Sequence, residues 1–163
     1  MIEIIIRPFA GITIGGKEIN FEMSQVDVEK VLGKPTKFEV NNLINHTCEP
    51  RSGTIFHYQN SELYSCNNNE LHFIDIPIDK GVVAIYQDID ILNDKDAIIK
   101  LSKYDNEPTP NNGKFMIFYK LGICLGGFGN KRIPEKKMVT IFSVKQIDLF
   151  RMQFLTGGGK LIK

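Results

Sequence analysis

The chain has 163 residues, 42% of them hydrophobic and 24% charged. That composition excludes disorder, collagen and a disulfide-dense scaffold, and it suits one domain long enough to bury a core. Twenty Lys and Arg against nineteen Asp and Glu leave a net charge of +1, which argues against a dedicated nucleic-acid binder and against a polybasic membrane anchor, because both need clustered positive charge.

The cysteines Cys48, Cys66 and Cys124 are odd in number and irregular in spacing. They read as reduced thiols rather than a disulfide framework. No apolar run reaches the ~18 residues of a membrane helix, and the opening MIEIIIRPFAG lacks a basic leader region. A cytoplasmic location is the expectation. Usage is rich in Ile, Lys and Asn and poor in Arg, a bias that AT-rich codons produce.

Taken in chain order, Ile2 to Ile6 is a β-branched run and predicts a strand. Ile12 to Ile14 and Lys17 to Phe21 predict two more, joined by a Gly15-Gly16 hairpin. Ser24 reads as a helix N-cap with Asp27 in the capping-box position. Val28, Val31 and Leu32 form the apolar stripe of that helix, and Gly33 and Pro35 end it. Residues 39–53 read as a long polar loop. Strands are expected at Thr54 to Gln59, Glu62 to Ser65 and Leu71 to Ile76, with Asn67-Asn68-Asn69 as a turn. Gly81 to Tyr86 and Asp88 to Ile91 read as strands. A helix capped by Asn93 or Asp94 is expected to run to about Tyr104. Lys114 to Tyr119, Ile123 to Leu125 and Met138 to Val144 complete the strands. Residues 146–155 fit either a strand or a helix, and the Gly157-Gly158-Gly159 tail reads as loose.

A shift of 70 residues lays Ile12-Thr13-Ile14 on Val82-Val83-Ala84 and Lys17 to Phe21 on Gln87 to Ile91. Each block precedes a capped helix, a Pro-containing loop and strands that include Ile55-Phe56 or Ile117-Phe118. The fold expected is α+β: two tandem ββαβββ repeats forming one antiparallel sheet with the helices on one face. The whole of 1–163 is one domain, with repeats at about 11–80 and 81–147 and a C-terminal extension at 148–163. The uncovered sheet face would be a broad binding surface, with Tyr58, Tyr64 and Tyr119 as anchors.

Candidate chemistry is sparse. His46, Cys48, His57, Cys66 and His72 lie close in sequence but lack the paired spacing of a zinc site, so no metal is expected. No nucleophile signature surrounds the cysteines, and no catalytic residue or cofactor is assigned. Asp88 and Asp90 are expected to share a strand face as an acidic patch. The stretch around Gly126-Gly127-Phe128-Gly129 lacks the P-loop pattern, and a strand connection accounts for it. The basic run Lys131, Arg132, Lys136 and Lys137 suits either a solvated loop or the steering of an acidic protein.

The piece Met23-Ser24-Gln25-Val26-Asp27-Val28-Glu29-Lys30-Val31-Leu32-Gly33-Lys34-Pro35 resembles a pattern of bacterial domains in which Met-Ser, a short helix and Leu-Gly-x-Pro lead into a strand meander. The β-lactamase-inhibitor-protein-like fold, built of two such repeats, is one of them. The second half departs from the pattern, with Leu101-Ser102-Lys103-Tyr104 where Leu-Gly-x-Pro should stand. The resemblance implies protein binding rather than catalysis. In size and style the chain also resembles bacterial immunity proteins, which cover a toxin's active site.

The function expected is a protein-binding module, an immunity or inhibitor protein that occludes a partner toxin or enzyme. Its partner-binding residues would be Tyr58, Tyr64, Asp88, Asp90, Tyr119, Phe128, Lys131, Arg132, Lys136 and Lys137. One alternative is an enzyme or small-ligand binder using His57, Cys66, His72 and Asp75. Another is a structural or phage-type assembly protein.

Overall fold

The computed structural model describes residues 1–41, 53–58, 61–66, 70–110, 115–128, 137–148 and 151, with only the backbone described for 38–41, 53–57 and 62–66. The architecture is α+β and mostly strand, arranged as two sheets. Strands β1 (Ile2–Arg7), β2 (Gly11–Ile14), β3 (Lys17–Asn20), β8 (Val82–Tyr86) and β9 (Ile89–Asp90) form a five-stranded sheet in the order β3-β2-β1-β8-β9. Strands β4 (Lys37–Asn41), β5 (Gly53–Tyr58), β6 (Ser61–Cys66), β7 (Glu70–Pro77), β10 (Phe115–Phe118), β11 (Ile123–Gly126) and β12 (Met138–Phe142) form a seven-stranded sheet in the order β10-β11-β12-β7-β6-β5-β4. Helix α1 (Gln25–Leu32) follows β3, and α2 (Ala97–Leu101) follows β9.

Several local expectations match the structure. Gly15 and Gly16 take φ of +57° and +75°, the two successive positive values that a two-residue hairpin needs. Ser24 Oγ accepts from the Asp27 N–H at 3.2 Å and donates to the Asp27 carboxylate at 2.8 Å, capping α1. Val28 is buried, with Val31 and Leu32 packed beside it on the core.

Other expectations are corrected. One antiparallel sheet becomes two, and β1 pairs with β8 in parallel, Ile5 opposite Ile85. Residues 39–41, expected in a loop, belong to β4, which pairs antiparallel with β5, Phe38 opposite Phe56, and Gly53, expected to close that loop, opens β5. Helix α2 is one short turn and a half rather than a helix to Tyr104: Asp96, not Asn93 or Asp94, stands at its cap, and at its end the Ser102 hydroxyl donates to the Ile98 carbonyl at 2.8 Å. Asp88 is not on a strand: Gln87 and Asp88 form the turn between Tyr86 and Ile89, with Gln87 at φ +56°. After β12 the chain enters a 3-10 turn at Val144–Gln146. The Asn67-Asn68-Asn69 turn and the triple-glycine tail lie outside the described residues.

Alternation explains the layering. In β1 and β2, Ile4, Ile6 and Ile12 point inward, and in β8 so do Val82, Ala84 and Tyr86. On the larger sheet Ile74, Ile76, Ile123, Leu125, Val139 and Ile141 join them in one core, which also takes Val28, Ala97 and Leu101 from the helices. A smaller cluster of Phe73, Ile117, Cys124 and Phe142 comes from the intervening positions of the same strands. The centre of the larger sheet is therefore buried on both faces, and β7 is buried without a break from Leu71 to Ile76 for that reason, His72 and Asp75 included.

Candidate functional site

The clearest surface feature is the outer face of the five-stranded sheet. Register aligns Glu18, Thr13, Ile5, Ile85 and Asp90 in one row across all five strands. The row is apolar at its centre and carboxylate at both ends. Glu3 lies opposite Val83 on the same face. Ile5 is 39% exposed, unusual for an isoleucine in the middle of a sheet. A depression of about 580 Å³ lined by Met1, Ile2, Glu3, Ile5, Thr13, Ile14, Gly15 and Gly16 continues this face toward the β2–β3 hairpin.

The charges on this face are unevenly matched. Glu18 pairs with the Arg7 guanidinium at 3.6 Å, which also donates to Asn20 and to the Ile12 and Ile19 carbonyls. Glu3 and Asp90 make no ion pair among the described residues. Asp90 takes one bond from the Asn93 amide at 2.8 Å, and its other oxygen is buried with no hydrogen bond.

A second cluster sits where the two sheets are tied together. The Glu22 N–H donates to the Leu71 carbonyl at 2.7 Å, and the Leu71 N–H to Met23 at 2.9 Å. To make that link Glu22 takes a φ of +71°. Phe9, in the turn after β1, takes +57°. Side chains in this left-handed region carry strain, which often collects near functional sites. Both residues line a cavity of about 390 Å³ with Asn20, Phe21, Ser143 and Lys145.

Behind that cavity lies His72. Between β6 and β7 the register slips, with Tyr64 opposite Phe73 but Ser65 opposite Leu71, so His72 is the extra residue of a bulge. Its Nδ1 lies 3.1 Å from Ser143 Oγ and its Nε2 3.4 Å from a Glu70 oxygen. Lys145 bridges Glu22 at 2.9 Å and Glu70 at 3.6 Å. Burial lowers the His72 pKa from its usual 6.5; Glu70 and Glu22 pull it up, Lys145 pushes it down, and the net shift is downward. The Lys145 ammonium, by its hydrogen bond and charge, lowers the Glu22 pKa.

The residues singled out from sequence are scattered. Asp90 lies in the row on the outer face just described, and Asp88 sits in the turn between β8 and β9. Tyr58 is half-buried and its hydroxyl donates to the Gly33 carbonyl at 2.9 Å, tying β5 to the end of α1. Burial, aided by the Glu29 charge, pushes its pKa to about 12. Tyr119 lies under the Arg151 guanidinium, 5.2 Å from the ring centre, and Phe128 under the Lys137 ammonium at 5.0 Å. Tyr64 is placed only by its backbone, opposite Phe73. Lys131, Arg132 and Lys136 lie outside the described residues.

Of the alternative set, His72 and Asp75 engage different partners: Asp75 accepts from the Thr140 hydroxyl. His57 and Cys66 are placed by backbone alone, opposite Lys37 and Glu62, and opposite Gly53 and Glu70. Sequence reasoning missed Ser143, Glu70, Glu22 and Lys145, which are up to 123 positions apart and share no motif. Among the described residues no group of three metal-ligating side chains converges, and no helix is long and apolar enough to cross a membrane. No protein-family model, no curated protein and no solved structure matches the chain.

Proposed function

We propose that this chain is a protein-binding module, an immunity or inhibitor protein that docks through the outer face of its five-stranded sheet and covers the active site of a partner toxin or enzyme. The observation that carries this reading is the row Glu18, Thr13, Ile5, Ile85, Asp90: an apolar strip bounded by carboxylates. Such a pattern suits a partner whose own apolar patch is ringed by Lys and Arg. The exposed Ile5 and the half-buried Ile85 supply desolvation, while the acidic rim sets orientation and speeds encounter. A stable complex of this kind buries about 800 Å² per partner, and the depression beside Ile5 extends the contact area.

The tandem-repeat reading belongs with this proposal. The order β2-β3-α1 is matched by β8-β9-α2, and the strands that follow end in β7 and β12, which pair with each other. On this reading the docking sheet is built from the β-hairpins of both repeats, joined through β1. Action in the cytoplasm is part of the same proposal, supported by Cys124, a free buried thiol.

The test is quantitative co-purification from the native host, comparing the wild-type chain with Ile5→Asp, Asp90→Lys and the control Val26→Asp. Val26 is 60% exposed on α1, away from the sheet face. The reading expects one basic protein to be enriched with wild type and Val26→Asp, and lost with both sheet variants. Recovery of the same partner with all four chains overturns the docking face. Self-association as the sole interaction overturns it in favour of an assembly role.

A further inference from the structure

We propose that Ser143 is a covalent nucleophile that accepts the acyl group of small activated esters, with His72 as its general base and Glu70 as the residue that positions the imidazole. This goes beyond the docking reading and uses different residues, so either can fail alone.

The three groups form a layered chain. Ser143 borders the cavity, His72 lies behind it at 3.1 Å, and Glu70 lies behind His72 at 3.4 Å. A carboxylate only accepts, so the proton belongs on Nε2. Nδ1 is then left to accept from the Ser143 hydroxyl, the tautomer a general base needs. Burial favours the neutral imidazole. Ser143 opens the 3-10 turn but its hydroxyl makes no capping bond there, and its backbone N–H is tied to the His72 carbonyl at 2.8 Å. The β7 bulge, which leaves His72 as an extra residue in its strand, is the device that brings the ring to Ser143.

The cavity suggests the substrate class. Its volume of about 390 Å³ and its Phe9, Phe21 and Val144 walls suit a short apolar acyl chain. Lys145 is the cation on its rim. An ammonium has three N–H donors, and its ion pairs with Glu22 and Glu70 leave one for a developing oxyanion.

The chemistry balances without a redox partner. Ser143 Oγ bonds to the ester carbonyl carbon as its proton passes to His72 Nδ1. The carbon–oxygen bond to the alcohol breaks as Nδ1 returns that proton to the leaving oxygen. Water then attacks the acyl-serine, giving its proton to Nδ1, and Ser143 leaves as the hydroxyl. The sum is ester plus water to acid plus alcohol.

The test treats the full chain with a fluorophosphonate probe and, separately, with 4-nitrophenyl acetate, read by intact-mass and peptide mass spectrometry and by 4-nitrophenol release. The expected result is a single adduct on Ser143 and a burst of one 4-nitrophenol per chain, both abolished in Ser143→Ala. Acylation in His72→Gln falls by at least about 100-fold, and Glu70→Gln slows it and moves its pH profile. If circular dichroism shows His72→Gln to be unfolded, the wild-type profile decides. The rate must then rise through one ionisation below pH 6.5, and a flat profile overturns the proposal. No adduct, an adduct on another residue, or an unchanged rate in Ser143→Ala overturns it as well.

Discussion

The docking face depends on β1, β2 and β3 keeping their register, and one glycine guards it. Gly11 sits at φ +137°, and a Cβ there would meet the Ile19 carbonyl oxygen at 2.0 Å and its carbon at 3.0 Å. Gly11→Ala therefore forces β3 to retreat by more than 1 Å, because ordinary contact begins near 3.4 Å. That retreat pulls Ile19 from Ile12, both fully buried and directly opposed. The backbone strain alone costs about 1–3 kcal/mol. Disturbed packing of two buried isoleucines adds about 1–3 kcal/mol more. A domain of this size loses about 2–4 °C of Tm per kcal/mol, so the expected fall is roughly 5–20 °C. Gly16→Ala is the matched control. It has a positive φ but nothing within 4 Å of an added Cβ, so its cost is the backbone term alone, about 1 kcal/mol. Differential scanning calorimetry on both variants decides it. Equal Tm losses, or Gly11→Ala within 2 °C of wild type, would refute the close-approach argument.

Other outcomes follow from single side chains. The His72 pKa is depressed in the folded state, so its neutral form stabilises above pH 6.5 and that contribution is lost as pH falls below 6.5. Thermal melts at pH 7.5, 6.5 and 5.5 should show a stability slope of at most about 1.4 kcal/mol per pH unit that His72→Gln removes; an identical slope in the variant contradicts the assignment. Glu22 behaves oppositely in origin but not in sign: its lowered pKa gives stability present above pH 4.5 and lost below it, so Lys145→Met should flatten the loss of stability in a further set of melts between about pH 5 and pH 3. Cys124 is buried and its thiol pKa is pushed up, first by burial and then by Asp75, so a thiol reagent should leave it unlabelled in the native protein and label it rapidly in denaturant. The Tyr58 phenol should titrate near pH 12 by absorbance, and Tyr58→Phe should cost about 1 kcal/mol through the lost bond to Gly33.

Local chemistry was legible in the sequence and long-range pairing was not. The Gly15-Gly16 hairpin and the Ser24 cap depend on residues within three positions of one another, so pattern and propensity reach them. Strand β4 was hidden because Lys37–Asn41 merges into a polar stretch, and its pairing with β5 overrode weak local preference. The split into two sheets turns on β1 joining β8, Ile2 opposite Val82, across 80 positions. Alternation cannot report which strands become neighbours. Alternation puts Asp88 and Asp90 on one strand face, yet a two-residue turn takes Asp88. The His72–Ser143 contact spans 71 positions and depends on a bulge, which leaves no mark in the periodicity.

The most direct measurement of the central claim is hydrogen–deuterium exchange of the chain alone and with its co-purified partner. Docking through the five-stranded sheet brings new protection over residues 2–7, 11–20 and 82–90, the strands and turns that carry Ile5, Thr13, Ile85, Asp88 and Asp90. Protection confined to the seven-stranded sheet, with these strands unchanged, would contradict it.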